Sequence, residues 1–400
     1  MKLMDHLATP SFTPRRILVV TLADLGDALL TIPALQALRQ AFPAARIVAL
    51  TTPVGSAALR DQPLDELIVF EKQRFNSPRA LLQPDSLRYA AHLWRRLRAE
   101  RFDACVLLHH LTTWFGTLKY AALAVASGAH RRYGLDNGRG FFLTDRVHDA
   151  GFGAHHQAEY WLDLVGLLGA QSRQAQSLTA TKAEQAVAAK LLGSQGQTNQ
   201  PLIALHPGSG AFAPARRWPP QRFAELADTL IEDGAQIVLV GGGEEADLRQ
   251  AVLSQMQHAG AVIDVGGRTA LGELAAVLQR CSLFVGNDSG LAHLASSVGT
   301  PVVAIFGPTD PRAWGPYGGE PWQPLDGWRN GVEVLHSGQH AALKADIACS
   351  PCIYRGHTLG TPQGCPDRTC LQRISVEQVL AVVRQQLSNR TKQVCGSTTF

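Results

Sequence analysis

A chain of 400 residues that is 46% apolar and 18% charged is long enough for two or three domains and too apolar to be disordered. Its 37 Lys and Arg against 33 Asp and Glu leave a net charge of +4, too mild for a nucleic-acid binder. The opening stretch MKLMDHLATPSFTPRR lacks the apolar core of a secretory signal, and no run approaches the roughly 20 apolar residues of a spanning helix, so a cytosolic protein is expected.

Residues 17–21 are apolar and β-branched and predict a buried first strand. The run breaks at Ala23-Asp24-Leu25-Gly26-Asp27, after which Ala28, Leu29, Ile32, Leu35 and Leu38 recur at helical spacing, with Pro33 expected to kink that helix early. Strand, glycine-bearing turn and helix open a doubly wound α/β unit, in which ligands bind at the carboxyl ends of strands. Asp27 therefore falls at an expected site; its other reading is an acid favoured by the helix dipole. Further strands are expected at 46–50, 66–70 and 102–108, with helical patterns between them, which supports a parallel sheet. Residues 87–101 form a basic amphipathic helix in which Arg95, Arg96, Arg98 and Arg101 follow Trp94. That pattern suits an anionic membrane surface or an acidic acceptor, and equally a solvated helix face. The pairs His109–His110 and His155–His156 lack a third ligand at recognisable spacing and stay unassigned.

A helical segment from residue 182 runs into a Gly/Gln/Asn-rich patch ending near 200, which reads as a linker. A second α/β series follows. The strand 201–205 ends in His206-Pro207-Gly208-Ser209-Gly210, and Arg216 and Arg217 precede a helix at 220–233. A small-residue loop brings backbone N–H groups close to phosphate oxygens, and arginines neutralise them. After the strand 236–240, Gly241-Gly242-Gly243-Glu244-Glu245-Ala246 matches G-x-G-x-x-A, with Asp264 downstream. This raises a nicotinamide cofactor, against a contact from Glu244 or Glu245 to a nucleotide ribose. Residues 283–307 read as strand, tight turn, short helix and strand. Asp288 or Ser289 can cap that helix, whose Leu291, Leu294, Ala295 and Val298 make a buried face while Gly290, His293 and Ser297 share another. A bare backbone, a carboxylate and an imidazole at a helix start suit a diphosphate; the plainer reading is a cap and a solvated histidine. Cys349-x2-Cys352-x12-Cys365-x4-Cys370 has the spacing of a structural zinc knuckle, or of a set of partly buried thiols. The last helix opens with the capping box Ser375-Val376-Glu377-Gln378, and the tail after Asn389 is expected to fray.

Taken together, GDALLTIPAL (26–35), HPGSGAFAPARRWP (206–219), GNDSGLAHL (286–294) and GPTDP (307–311) resemble the ordered motifs of the lipopolysaccharide core heptosyltransferases, glycosyltransferase family 9. The resemblance implies a GT-B fold: two Rossmann-like domains with parallel sheets facing a central cleft, the last helix returning to the first domain. The expected division is 1–185 for acceptor binding, 186–372 for the ADP-sugar, and 373–400 for the helix and tail. It implies an ADP-heptose donor, a lipid A–Kdo core acceptor at the cytoplasmic face of the inner membrane, and an inverting transfer that requires no cofactor.

By the same resemblance Asp27 is the general base, facing the donor lobe across a gap, Ser209 and Arg216 hold the donor phosphates, and Asp288, Gly290 and His293 hold the nucleotide. The residue pattern adds Gly210 to the phosphate contacts and Ser289 and Glu245 to the nucleotide contacts. Arg216 stands where the family usually has Lys, and Gly210 where some members carry a hydroxyl. The chain has no Asp-x-Asp pair, so catalysis without a metal–diphosphate clamp is expected. Alternatives are a related GT-B transferase using another nucleotide sugar and, on the glycine fingerprint alone, an NAD-dependent oxidoreductase.

Overall fold

The computed structural model describes residues 12–75, 77–172, 174–193, 200–325 and 331–396. Most of the opening stretch and the 194–199 part of the expected linker lie outside them. The chain divides into two compact units: Met1–Asp24, Thr31–Ala150 and Ala158–Gln174 form the first, and Leu25–Leu30, Gly151–Gln157 and Ala175–Phe400 the second.

The first unit holds β1 (Arg16–Thr21), β2 (Arg46–Thr51), β3 (Glu66–Val69), β4 (Ala104–Leu107), β5 (Arg131–Asp136) and β6 (Asp145–His148) in the order β3-β2-β1-β4-β5-β6. All its neighbours are parallel. Helices cover both faces of such a sheet, which is why β1 and β4 are continuous apolar runs rather than alternating ones. Pro33 divides the expected first helix instead of bending it. A short helix spans Leu25–Leu29 and a second spans Ile32–Ala41, with Pro33 in its first turn, where a missing N–H costs nothing.

The second unit repeats the plan. β7 (Leu202–His206), β8 (Gln236–Leu239), β9 (Val262–Asp264), β10 (Leu283–Asn287), β11 (Val302–Phe306), β12 (Gln323–Pro324), β13 (Val332–Ser337) and β14 (His340–Ala345) run β12-β13-β14-β11-β10-β7-β8-β9. From β9 to β14 the strands are parallel and reproduce the order of the first sheet; β13 and β12 extend the edge antiparallel. The strand order reverses between β7 and β10, the point at which open α/β sheets bind ligands. Both strands run one or two residues beyond the apolar runs read in the sequence, ending on His206 and Asn287. The two-domain, parallel-sheet GT-B expectation thus describes the chain.

Three details differ from expectation. The boundary placed after residue 185 falls inside the helix Lys182–Leu192, whose Thr181–Glu184 capping box fixes its start. The last helix, Val376–Gly396, expected to return to the first domain, belongs to the second unit: Val379, Leu380, Val382 and Val383 lie in its core, and Arg384 pairs with Asp233. The helix also continues through Gly396, past the fraying expected after Asn389, while its start is capped as expected by Ser375 and Gln378. Among the described residues no helix is long and apolar enough to cross a membrane.

Candidate functional site

The site assembles at the carboxyl ends of β7 and β10. Asn287, fully buried, fastens the two: its Nδ2 donates to the carbonyls of Pro207 (2.8 Å) and Gly208 (3.1 Å), and its Oδ1 accepts from the Trp218 amide at 2.9 Å. One side chain thereby fixes both ends of the loop 207–218.

Glu245 braces the same loop from below. Its Oε1 accepts from the amides of Ser209 (3.0 Å) and Gly210 (2.9 Å), and its Oε2 from His206 Nε2 (3.0 Å) and the Gly242 amide (3.2 Å). A carboxylate only accepts, so Nε2 of His206 carries the proton, and Nδ1 meets Ser289 Oγ at 3.0 Å. Burial pushes the Glu245 carboxyl upward, but the His206 and amide hydrogen bonds outweigh it and hold the group down at about 2. Because the folded pKa is depressed, this stabilisation is complete above the ordinary 4.5 and disappears as pH falls through about 2. Glu245→Gln is therefore expected to lower stability by about 1–3 kcal/mol at pH 7. Its Tm deficit against the parent chain should shrink as the pH of the thermal melt is taken toward 3.

These bonds engage groups expected to meet the ligand. Glu245 spends its carboxylate on His206 and on the loop amides. The Ser209 and Gly210 amides donate to Glu245, while Ser209 Oγ donates to the Ala213 carbonyl at 2.9 Å. Arg217 closes the loop by donating to Ser209 Oγ and the Gly210 carbonyl.

What this scaffold presents is Arg216. Its Nη1 donates to Asp288 Oδ2 at 3.2 Å, and Thr309 Oγ1 donates to the same oxygen at 2.6 Å. Burial acts to lower the guanidinium's pKa, yet Asp288, then Tyr354 and Asp27, more than offset it. Asp288, 3% exposed, is thus the residue that aims Arg216. Ser289 occupies the N-cap position of the helix Gly290–Ser297, but its hydroxyl goes to His206 and makes no cap bond. The capping role expected for Asp288 or Ser289 is therefore not taken.

That helix is buried almost all round, so His293 is not a solvated histidine. Burial pushes its ring down to about 4, Asp288 opposing and His156 and Arg216 adding. Its Nδ1 and the Nε of Arg216 are buried without a hydrogen-bond partner among the described residues. Buried polar atoms left without partners in this way mark a place where polar ligand groups would be satisfied.

Asp27 reaches this place from an unexpected side. Its short helix belongs to the second unit, not to an opposing lobe. Two glycines permit the contact. A Cβ on Gly290 would come within 3.1 Å of Leu25 Cβ and 3.2 Å of the Gly26 amide nitrogen, and a Cβ on Gly26 within 3.0 Å of His293 Cδ2. Asp27 is half-buried and close enough to Arg216 to raise its pKa. The site thus brings together Asp27, Arg216, Asp288, Gly290 and His293.

Several neighbours escaped sequence reading. Thr309, inside GPTDP and bonded to Asp288, was nameable in principle from that motif. The wall built by β15 (Ile353–Arg355) and β16 (Thr358–Gly360) was not. Ile353 packs on Ala213 and Ala215, and Tyr354, at φ +56°, stacks with Phe212 and packs against Trp314 and Phe152. Of the paired histidines, His156 contacts the Gly315 carbonyl, and in the first unit His110 bonds Asp149.

The glycine fingerprint is filled by the protein itself. Arg249 bonds Asp264, the Gly242 carbonyl and the Gly266 carbonyl, so the acid expected for a dinucleotide ribose is already spent. Cys349, Cys352 and Cys365 are exposed free thiols and Cys370 a buried one, which burial raises to about 11. Among the described residues no group of three or more His, Cys, Asp or Glu is placed to hold a metal ion, so the zinc-knuckle spacing finds no matching geometry.

Residues 90–323 match the family model of Glycosyltransferase family 9 (heptosyltransferase). Lipopolysaccharide heptosyltransferase 2 of Escherichia coli strain K12 is 34% identical over 153 residues, 38% of this chain and 41% of that protein. The chain spans about 40% of the length of the curated relatives it matches at 34% identity. Among solved structures, the glycosyl transferase family 9 protein from Veillonella parvula DSM 2008 aligns with a TM-score of 0.72 at 26% identity, over 94% of this chain and 97% of that one. The E. coli ADP-heptose LPS heptosyltransferase II shares the fold, with a TM-score of 0.69 at 22% identity over 94% and 99% of the two chains.

Proposed function

The chain belongs to glycosyltransferase family 9, and from that premise we propose that it moves a heptose from ADP-heptose to the inner core of a lipopolysaccharide. The acceptor is the lipid A–Kdo core, met at the cytoplasmic face of the inner membrane, with which the protein associates peripherally. The observation that carries the reading is the convergence of a carboxylate, a guanidinium and an uncapped helix start at one end of a doubly wound sheet.

In this proposal Asp27 takes the proton of an acceptor hydroxyl as its oxygen bonds the anomeric carbon. The bond from that carbon to the diphosphate oxygen breaks, its electron pair leaves with ADP, and the configuration inverts. General-base help of this kind contributes roughly 10²–10⁴-fold. The departing charge is met by Arg216 and by the first amides of the helix Gly290–Ser297, groups fixed before the reaction and so costing no reorganisation. Asp288 aims the arginine. Neutral at ordinary pH, His293 offers Nδ1 to the nucleotide beside Ser289 and Gly290. Ser209, Gly210 and Glu245 shape the loop that carries Arg216. Arg216 and the helix supply the charge stabilisation that an Asp-x-Asp-bound metal gives elsewhere, so turnover is expected without one.

The test is ADP release by the purified chain from ADP-heptose with truncated lipid A–Kdo cores, in excess chelator, beside a panel of other nucleotide sugars. Release that depends on ADP-heptose and core and survives chelation is the expected result. A preference for another sugar nucleotide would move the chain to a different donor class, and total loss restored by magnesium would overturn the metal-free mechanism.

A further inference from the structure

Within the first unit, the helices Pro84–Glu100 and Trp114–Ala126 enclose an apolar groove of about 280 Å³, floored by Phe70, Phe75, Leu93 and Leu97. Its rim is unusual for a surface. Leu118 and Ala122 line one side, with Trp114 and Val125 at helical spacing on the same helix, and the three large ones are 60%, 58% and 42% exposed. Trp94, 43% exposed, lines the other, on a helix that also leaves Leu87 49% exposed. A helix needs no such stripe to fold, and side chains of this size bury 150–250 Å² each when covered, by a general estimate for aromatics of about that range.

The charge around the groove is one-sided. The two helices carry five Lys or Arg against two Asp or Glu. Some of this is internally paired, as in Arg88–Asp85 and Arg96–Glu66. Arg95 and Lys119 have no carboxylate partner among the described residues, Arg95 Nε donating instead to the Ala91 carbonyl, and Lys119 lines the groove itself. An apolar stripe edged by unpaired cations complements the anionic headgroups and acyl boundary of a bilayer. A second copy of the chain fits poorly, because a self-complementary interface would set this positive field against itself.

We propose that this groove is the surface by which the protein sits on an anionic lipid bilayer, with Trp94, Trp114 and Leu118 in the acyl boundary and Arg95 and Lys119 on headgroup phosphates. The proposal rests on the reading of the acceptor as a lipid, and it places the contact on the helix pair of the first unit.

Cosedimentation of the full chain with vesicles of phosphatidylcholine containing phosphatidylglycerol tests it, with pure phosphatidylcholine vesicles alongside. Binding to the anionic vesicles only, weakened by salt, is expected. Trp94→Ser with Leu118→Ser should cut the partition coefficient ~10–100-fold, and Arg95→Glu with Lys119→Glu at least as much. Both variants should keep the parent Tm and circular dichroism and transfer heptose to a de-acylated, water-soluble core at the parent rate. Unchanged vesicle binding in both variants, no binding by the parent chain, or a salt-strengthened self-association abolished by Leu118→Ser would overturn the proposal. Failure of the parent chain on the soluble core, with vesicle binding as expected, would instead remove the heptosyltransferase reading and leave the surface standing.

Discussion

Asp27→Asn should reduce kcat by ~10²–10⁴-fold while leaving the affinity for ADP and the melting temperature close to those of the parent chain. The substitution keeps the shape of the side chain and removes its ability to take a proton. Affinity is spared for an electrostatic reason: the carboxylate lies near Arg216 and contributes to its raised pKa. A second negative charge beside the arginine opposes a bound diphosphate, so removing it leaves ADP as well held or slightly better. A companion variant separates chemistry from position. Gly290→Ala puts a methyl where Leu25 Cβ and the Gly26 amide already stand at 3.1 and 3.2 Å, so the Asp27 turn must shift although the carboxylate itself is intact. Small displacements of a reacting group cost large factors in rate, and kcat should again fall most. Single-turnover kinetics, with ADP binding measured by calorimetry, check both. Normal turnover by Asp27→Asn would end the general-base assignment.

How much of this was legible beforehand depends on what each residue needed to be recognised. The strands were readable because strands covered on both faces are unbroken apolar runs, and 17–21, 46–50 and 236–240 have no other interpretation. Strand ends were less so: His206 and Asn287 are polar, and only the ladder reveals that they terminate β7 and β10 rather than open the loops. The site motifs announced a place but not a division of labour. A glycine-rich loop looks ready for phosphate until a carboxylate 35 residues later, Glu245, is found occupying the Gly210 amide. That pairing is long-range, and nothing local encodes it. Arg249 and Asp264 likewise close the glycine fingerprint from within, which the spacing of glycines cannot disclose. The placement of Asp27 was hidden for a related reason. Chain order puts it directly after β1, whereas the bare backbones of Gly26 and Gly290 let its turn pack on a helix more than 250 residues away. The aromatic wall around Tyr354 had no periodicity to read at all, since it is made by a short hairpin inside a cysteine-bearing loop.

Removing Arg216 should have two effects that a double variant can pull apart. Arg216→Ala strips Asp288 of its cation. That carboxylate is 3% exposed and would keep Thr309 as its remaining side-chain donor among the described residues. Breaking a buried pair from one side costs about 3–5 kcal/mol, because the surviving charge stays desolvated. Stability should therefore fall together with donor affinity, and the single variant cannot say which loss is primary. Arg216→Met with Asp288→Asn removes both charges, and the asparagine can still accept from Thr309. Its stability should return close to that of the parent chain, since uncharged replacements of similar volume are tolerated where half a pair is not. Donor affinity should not return. A charged hydrogen-bond donor to phosphate is worth about 1.5–3 kcal/mol, so ADP should bind ~10–100-fold more weakly in the double variant even when it melts normally. Calorimetric titration of ADP beside thermal melts of the three proteins decides the matter. Were the double variant to bind ADP as the parent does, Arg216 would be a structural partner of Asp288 alone, and the anion site would have to be sought in the helix start by itself.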